Sequence, residues 1–518
     1  MAEVEAKTLG RSTLFGGLAE LWRIGSRFVL TPLILAKIGL EGYGTWTLLF
    51  GLCAYVSMFN TSFTFAFSKF TAEYDKKRDY AGLAEILASG MVLVGGFVLV
   101  ALSVLWSVRT SVLRLLNVPE RLLSDAESAL LLVAICLLVR MSLGGVFQIL
   151  AGLQRMDLTY KFTMLASLAE FCIALVLLIQ GYGLLGLAIA HLCGQLGTIA
   201  LAWVVCLAIC PELRAVRWRF SRAGFRASMS LGGRFQLLSF LVTAGVEGMR
   251  ILLSALFGPA LLGIYELAVK ILSLGEAACG AVIAPLMPAF ANLYASGDHR
   301  RHRVLFQRST KMVSVISLIT FGFLAAFADQ IVFLWTAESF PLAAWTIRAL
   351  VLTEIVVVQT GVATSSLRGA GTVRLETFFA LITLCLTFTL PLVAHHWLGY
   401  QGIILGLAAA RLLAAVWFLH AFLPIEAIGF WSYFKTTLLR PMAYAIPAAA
   451  AMILISQLPI FSNGSLAGRW AMLWALAMSG AVSAAISGLL MWYGALSAGE
   501  RNAIASTVSV RVSPRPSE

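Results

Sequence analysis

Long apolar segments follow one another along almost the whole chain and constrain its fold more than any other feature. A helix of about 20 apolar residues is long enough to cross the hydrocarbon core of a bilayer. Only 12% of the residues are charged, roughly half the share of a soluble domain, so we predict an all-α integral membrane protein. Fourteen spans are predicted near residues 12–38, 43–68, 83–107, 127–151, 158–180, 183–209, 231–257, 261–291, 309–329, 346–367, 375–397, 400–423, 441–458 and 467–492.

Lysine and arginine are distributed unevenly between alternate connections. Cytoplasmic connections of membrane proteins carry an excess of both residues. The net charge of +13 therefore reflects membrane topology rather than nucleic-acid binding, and both termini are predicted to be cytoplasmic. On that assignment the outer connections contain only five of the 38 basic residues, namely Lys37, Arg109, Arg114, Arg121 and Arg469.

Three short sequence matches recur at nearly the same separation along the chain. Residues 35–44 resemble 254–263, residues 150–158 resemble 367–375, and the Gly-Tyr turn at 181–182 recurs at 399–400. An even number of helices in each copy gives both copies the same orientation, so we predict two six-helix bundles related by a pseudo-two-fold axis along the membrane normal, plus two C-terminal helices. The predicted organisation is an N-terminal bundle over 1–209, a basic cytoplasmic linker over 210–230, a C-terminal bundle over 231–423, additional helices over 424–492 and a cytoplasmic tail over 493–518.

The turn after the first span has the pattern G-x-E-x-Y-G at residues 39–44, and the second span ends with FSKFTAEY at 67–74. With six plus six plus two helices, these motifs resemble the polysaccharide-transporter (oligosaccharide flippase, Wzx-like) family of the multidrug/oligosaccharidyl-lipid/polysaccharide (MOP) exporter superfamily. The resemblance implies a bacterial inner-membrane protein that flips undecaprenyl-diphosphate-linked oligosaccharide to the periplasmic leaflet by alternating access, for O-antigen, capsule or exopolysaccharide synthesis. It implies as partners the lipid-linked oligosaccharide, membrane lipids and other polysaccharide-assembly proteins. No cofactor and no nucleic-acid partner are expected, and some family members use a proton or sodium gradient.

Three other functions compete with this one. A lipid II-type peptidoglycan-precursor flippase and a drug or cation antiporter belong to the same superfamily. A membrane-embedded glycan polymerase is a different class, and such an enzyme usually has a long outer loop with catalytic residues. The longest outer connections here, near 108–126 and 330–345, are short, and no motif for metal binding or nucleophilic catalysis is present. We therefore expect a protein that is not an enzyme.

Charges inside the predicted spans are the candidates for substrate binding. Arg23 and Arg27 lie one helical turn apart in the first span, and two guanidinium groups suit a diphosphate. Arg250 and Lys270 are the corresponding candidates in the seventh and eighth spans. The alternative is local neutralisation, because Arg23, Arg250 and Lys270 each follow a glutamate by three or four residues. Arg27 is the stronger candidate, since Glu20 is within reach of Arg23.

Three residues are candidates for ion coupling. Glu170 and Glu354 have no obvious partner within one helical turn of their own helices. His191 titrates near neutral pH in an ordinary environment, although a histidine on an apolar helix is more often a packed hydrogen-bonding residue. Arg411 occupies the position of His191 in the predicted repeat.

Proline residues mark candidate hinges. Pro32 is expected to break the first span, and Pro285 and Pro288 are expected to break the eighth. Proline removes a backbone hydrogen bond and permits bending. A static kink filled by neighbouring side chains is the alternative.

Overall fold

The computed structural model describes residues 2–57, 60–216, 218–457 and 466–494, which are helical throughout apart from short connections and contain no strand. The helices are α1 (Ala2–Ser57), α2 (Asn60–Lys77), α3 (Tyr80–Ser107), α4 (Arg109–Leu115), α5 (Glu120–Leu143), α6 (Val146–Gly152), α7 (Met156–Ile179), α8 (Gly183–Ile209), α9 (Glu212–Ala215), α10 (Arg222–Phe257), α11 (Pro259–Ile283), α12 (Leu286–Ala295), α13 (His299–Ala326), α14 (Ala328–Thr336), α15 (Pro341–Gly369), α16 (Arg374–Phe422), α17 (Phe430–Tyr433), a π-helical turn (Phe434–Leu439), α18 (Arg440–Ser456) and α19 (Leu466–Gly494).

Within these ranges, ten helical stretches are long and apolar enough to cross a membrane. The prediction of an all-helical, multi-pass membrane protein is confirmed. Helix α16 covers two predicted spans, and α1 covers the first predicted span and the first part of the second, because the turn between the spans is reduced in each helix to one residue with non-helical backbone. These residues are Gly39 in α1 and Gly399 in α16. The count of fourteen spans and the two-bundle arrangement stay predictions, and residues 495–518 of the predicted tail lie outside the described residues.

The proline positions differ in their effect on the backbone. The predicted break at Pro32 is wrong, because α1 stays helical through this residue and is interrupted only at Gly39. The neighbouring Thr31 hydroxyl donates to the Arg27 carbonyl at 2.8 Å, so a side chain supplements the backbone bonding there. The break in the eighth span is present, since α11 ends at Ile283 and α12 begins just after Pro285. Pro288 lies inside the first turn of α12, where proline is tolerated.

Local backbone geometry recurs at the predicted repeat distance. Asp79 caps α3 by accepting from the Gly82 amide at 2.9 Å, and Asp298 caps α13 by accepting from the Arg301 amide at 3.0 Å. Left-handed backbone also recurs in pairs that keep nearly the same separation along the chain. These pairs are Gly39 and Gly258, Arg78 and Gly297, Gln154 and Gly371, and Gly181 and Gly399. The two halves of the sequence therefore turn in the same way at corresponding points.

Helix contacts divide the chain into two compact units, Met1–Gly263 and Ile264–Glu518. In the first unit, α10 packs against α1, α2 and α3, and α5 packs against α8. One of its apolar cores joins α3, α5, α6 and α8 around buried residues such as Leu87, Val146 and Ala202. In the second unit, α15 packs against α12, α13 and α16. Large buried aromatic side chains fill its interior, among them Phe306 and Phe422 with ring centroids 5.2 Å apart.

Glycines let helices approach closely at repeat-related positions inside each unit. A Cβ atom at Gly152 would lie 2.5 Å from Cβ of Thr71, on α2 in the first unit. A Cβ atom at Gly369, the repeat counterpart of Gly152, would lie 3.0 Å from Cβ of Phe290, on α12 in the second. Thr71 and Phe290 are separated along the chain by nearly the repeat distance as well, so the same close contact is built twice.

Gly44 makes the tightest such contact within the first unit. A Cβ atom there would overlap the carbonyl oxygen of Pro259, and a Cβ atom at Gly263 would lie 2.8 Å from the carbonyl oxygen of Leu40. Gly44 thus faces the backbone at the start of α11, and Gly263 faces the backbone just after the break in α1. Backbone cannot move aside as a flexible side chain can.

We predict that Gly44→Ala destabilises the protein by about 1–3 kcal/mol, because the added methyl group must displace the Pro259 backbone. The measurement is the midpoint of thermal unfolding in detergent. Gly96→Ala is the matched control, because a Cβ atom at Gly96 meets nothing within 4 Å. Equal midpoints for the Gly44→Ala variant and the wild type would contradict the prediction.

Candidate functional site

The four predicted diphosphate ligands have different environments. Arg27 is exposed on α1, whereas the side chain of Arg23 lies outside the described part of the structure. Arg250 donates from Nη1 to both carboxylate oxygens of Glu247, at 2.9 and 2.7 Å, so the local neutralisation considered from sequence is realised there. Lys270 lies half-buried on α11 in the second unit. Arg27 therefore stays the most accessible described member of the predicted set.

A cluster of charged residues in the first unit centres on Glu170. Its Oε1 atom lies 3.0 Å from Nδ1 of His191, so α7 and α8 are joined by this pair. The positive charges of Arg27 on α1 and Arg140 on α5 also act on the Glu170 carboxylate. Phe50 of α1 covers the imidazole edge-to-face, with ring centroids 5.0 Å apart. Among the side chains that the structure describes here, two guanidinium groups thus act on one carboxylate.

A second cluster, in the second unit, centres on Arg411 of α16. Its Nη1 and Nη2 atoms donate to the two carboxylate oxygens of Glu354 on α15, the latter bond at 3.2 Å. Oε1 of Glu276 on α11 lies 3.9 Å from Arg411 Nη2. The Glu354 side chain is only 1% exposed, against 27% for Arg411 and 48% for Glu276. When all three groups are ionised, the cluster has a net negative charge.

The two clusters use related positions but different acids. His191 and Arg411 are separated by the repeat distance and occupy corresponding helices of the predicted repeat. The acid that contacts His191 is Glu170, on the helix just before α8. The acid that contacts Arg411 is Glu354 on α15, two predicted spans before the span that contains Arg411. As the sequence indicated, neither acid is paired within its own helix: Glu170 contacts His191 on α8, and Glu354 contacts Arg411 on α16. Sequence reasoning did not assign Glu276 or Arg411 to a site, and the repeat position of Arg411 was the signal available.

The sequence also did not predict a buried polar group to which α13, α15 and the segment after α16 each contribute one side chain. Nδ1 of His302 lies 3.2 Å from Oε2 of Glu426, and the Ser366 hydroxyl donates to Oε1 of Glu426 at 3.2 Å. Ser366 Oγ lies 3.4 Å from His302 Nε2. Because Ser366 is buried, this group ties three segments together rather than presenting a nucleophile. Among the described residues, no three acids, histidines or cysteines are arranged to hold a metal ion.

Comparison with known proteins shows what this chain is similar to. A family model described as "Polysaccharide biosynthesis protein" matches residues 97–341. The structure is similar to the lipid II flippase MurJ in an inward closed conformation, with a TM-score of 0.69, 11% identity and coverage of 92% of this chain and 98% of that one. The predicted resemblance is supported by a polysaccharide-biosynthesis family match over a little under half of the chain and by this shared transporter fold.

Two further solved structures have the same fold. An inward-facing multidrug resistance MATE family transporter of the MOP superfamily gives a TM-score of 0.66 at 15% identity, over 81% of this chain and 96% of that one. A MOP superfamily transporter from Pyrococcus furiosus gives 0.57 at 13% identity, over 81% and 94%. No curated protein sequence matches significantly. The protein thus combines a polysaccharide-biosynthesis family match with the membrane-transporter fold of MurJ and MATE proteins.

We predict that the ion pair between Glu354 and Arg411 has a coupling free energy of about 2 kcal/mol or more, because removing either partner leaves a buried charge without compensation. A double-mutant cycle with Glu354→Leu and Arg411→Met, read out by unfolding in detergent, measures it. The control is the pair of Arg114 and Glu120, whose side chains are 59% and 72% exposed; that pair is expected to give less than about 1 kcal/mol. Equal coupling energies for the two pairs would show that the interior position of Glu354 and Arg411 has no energetic consequence.

Proposed function

We propose that the protein is a flippase that moves undecaprenyl-diphosphate-linked oligosaccharide from the cytoplasmic to the periplasmic leaflet of a bacterial inner membrane, for surface polysaccharide synthesis. It acts by alternating access, has both termini in the cytoplasm and catalyses no covalent step. One observation carries the proposal: the guanidinium groups of Arg27 and Arg140 both act on the Glu170 carboxylate within a MurJ-like transporter fold. The match to a polysaccharide biosynthesis family supports a glycan as the transported group.

The chemistry of the cluster favours an anionic ligand. A diphosphate presents several acceptor oxygens and at least two negative charges, and guanidinium groups bind such oxygens with short charge-assisted hydrogen bonds. Arg27 and Arg140 are both exposed on their helices, yet a charge in contact with lipid tails is costly. These side chains therefore face a wet region, which a hydrophilic headgroup also requires. Arg250 is a weaker candidate because Glu247 already neutralises it.

The second cluster supports coupling to a cation. Glu276 and Glu354 bring two negative charges to the single positive charge of Arg411. An excess of negative charge inside a membrane favours the uptake of a proton or a metal cation. We therefore keep Glu354 as the first coupling candidate. Glu170 and His191 follow, since their mutual contact allows proton sharing.

A peptidoglycan-precursor flippase is the second candidate function, because the lipid II flippase MurJ has this fold. The two functions are distinguished by the lipid-linked intermediate that accumulates when the gene is deleted. A surface-polysaccharide repeat unit on the carrier lipid supports the first function, and a peptidoglycan precursor supports the second. A drug antiporter is disfavoured by the basic character of the first cluster.

We predict that Arg27→Ala lowers surface-polysaccharide export at least about tenfold, since charge-assisted hydrogen bonds contribute about 1.5–3 kcal/mol each. Export is measured in a deletion strain complemented with each variant, alongside the amount of protein in the membrane. Lys37→Ala is the matched control, because Lys37 is an exposed cation further along the same helix. Full export by the Arg27→Ala variant would remove Arg27 from the site.

We predict that Glu354→Gln abolishes gradient-driven flipping while the protein still binds its lipid substrate, because the amide cannot exchange a cation but can still accept from Arg411. The assay is transport in proteoliposomes with and without an imposed ion gradient. A gradient-stimulated rate equal to that of the wild type would exclude Glu354 as the coupling group.

A further inference from the structure

Arg411 has more donor capacity than its carboxylate partners use. A guanidinium group carries five N–H donors, and the hydrogen bonds that the described residues give Arg411 all go to Glu354. Glu276, at 3.9 Å from Nη2, is an ion-pair partner beyond hydrogen-bonding distance. At 27% exposure the Arg411 side chain also remains accessible, whereas Glu354 behind it is almost fully buried. An incoming anion can therefore reach donors that Glu354 does not occupy.

We propose that Arg411 forms a second binding position, within the second unit, for the diphosphate of the transported lipid, and that protonation of Glu354 or Glu276 releases Arg411 for that role. This inference rests on the proposed flippase function. It makes one arginine the shared partner of the coupling acids and the substrate, so proton uptake and anion binding favour each other.

The charge balance around Arg411 explains why proton uptake strengthens anion binding. The groups that act electrostatically on Arg411 are Glu354, Glu276 and Tyr265, and those that act on Glu354 are Arg411 and Glu276. With both acids ionised, the cluster already has a net negative charge and repels a diphosphate. A proton taken from the aqueous side by one acid brings the cluster to neutrality. Competition for the guanidinium then falls, and the anion binds more tightly as the pH decreases.

The contrast with the first cluster shows why an arginine suits this role. His191 itself loses its charge when deprotonated, so the pair that it forms with Glu170 has two groups that can change state. Arg411 stays charged at all accessible pH values. Only protonation of Glu354 or Glu276 can change the charge of the second cluster. The Glu276 side chain is 48% exposed, so protons can reach the cluster through it.

The test measures binding of farnesyl diphosphate, a short polyprenyl diphosphate, to full-length protein in phosphatidylcholine nanodiscs at about pH 6 and about pH 8. Inorganic pyrophosphate and nanodiscs containing phosphatidylglycerol form the other two arms, which distinguish the carrier lipid from a free phosphate or a phospholipid headgroup. The variants are Glu354→Gln, Glu276→Gln and Arg411→Ala, with Glu120→Gln as a control on an exposed ion pair. Glu276→Gln keeps the Glu354–Arg411 pair intact, so the test does not depend on whether Glu354→Gln folds.

The expected result is tighter binding by the wild type at the lower pH. Both glutamine variants bind at the higher pH about tenfold more tightly than the wild type, a difference of about 1.4 kcal/mol, and their pH dependence is reduced relative to the Glu120→Gln control. Arg411→Ala does not bind farnesyl diphosphate more tightly at the lower pH. Phosphatidylglycerol does not compete with farnesyl diphosphate for the protein.

Unchanged affinity and pH dependence in all three cluster variants, with polysaccharide export by Arg411→Ala intact, would overturn the inference and leave the proposed function standing. Competition by phosphatidylglycerol equal to that of farnesyl diphosphate would also overturn it, because Arg411 would then be a phospholipid site. Absence of binding by the wild type at either pH, together with normal export after deletion of the gene, would overturn both the inference and the proposed function.

Discussion

The cost of placing a charge in hydrocarbon governs this structure. Even on the lenient insertion scale a charged side chain at the centre of a membrane helix costs about 2.5–3.5 kcal/mol, so each interior charge must meet a partner or water. Glu354 does so through two hydrogen bonds to Arg411, and Glu170 through His191 and the fields of two arginines. The same cost brings charged side chains together in the groups around Glu170 and Arg411. Two arginines act on one acid in the first group, and two acids lie near one arginine in the second, which is the physical basis for the proposed transport of an anion coupled to a cation.

Local structure was largely predictable because it depends on short-range patterns. Apolar length located the helices, and the turn glycines Gly39 and Gly399 ended one span and began the next. The repeat seen in three short sequence matches reappears in the helix caps at Asp79 and Asp298 and in matching left-handed turns. Pro32 was misjudged because a proline inside a helix removes one backbone hydrogen bond without necessarily ending the helix. In α1 the helix continues to Gly39.

The partners inside the clusters were not predictable from spacing. Helical periodicity identifies neighbours within about one turn, whereas Glu354 and Arg411 are 57 residues apart and Glu170 and His191 are 21 apart. The sequence therefore identified both acids as interior groups and left their partners open. The sequence showed that His191 and Arg411 occupy equivalent positions in the repeat. Because the two residue types differ, it did not show that each of them pairs with an acid on another helix. His302, Ser366 and Glu426 were missed for the same reason, since three separate segments supply them.

The central claim is that the basic cluster of the first unit serves a lipid-linked diphosphate sugar. Its most direct test is reconstitution of the purified protein in proteoliposomes that contain the lipid-linked oligosaccharide of its own host, with movement between leaflets followed by access of an external glycan-cleaving enzyme. We predict that the protein equilibrates this lipid between leaflets within minutes, and that empty liposomes do not. Transport of a cationic drug by the same vesicles, with the lipid-linked oligosaccharide retained in its original leaflet, would contradict the claim.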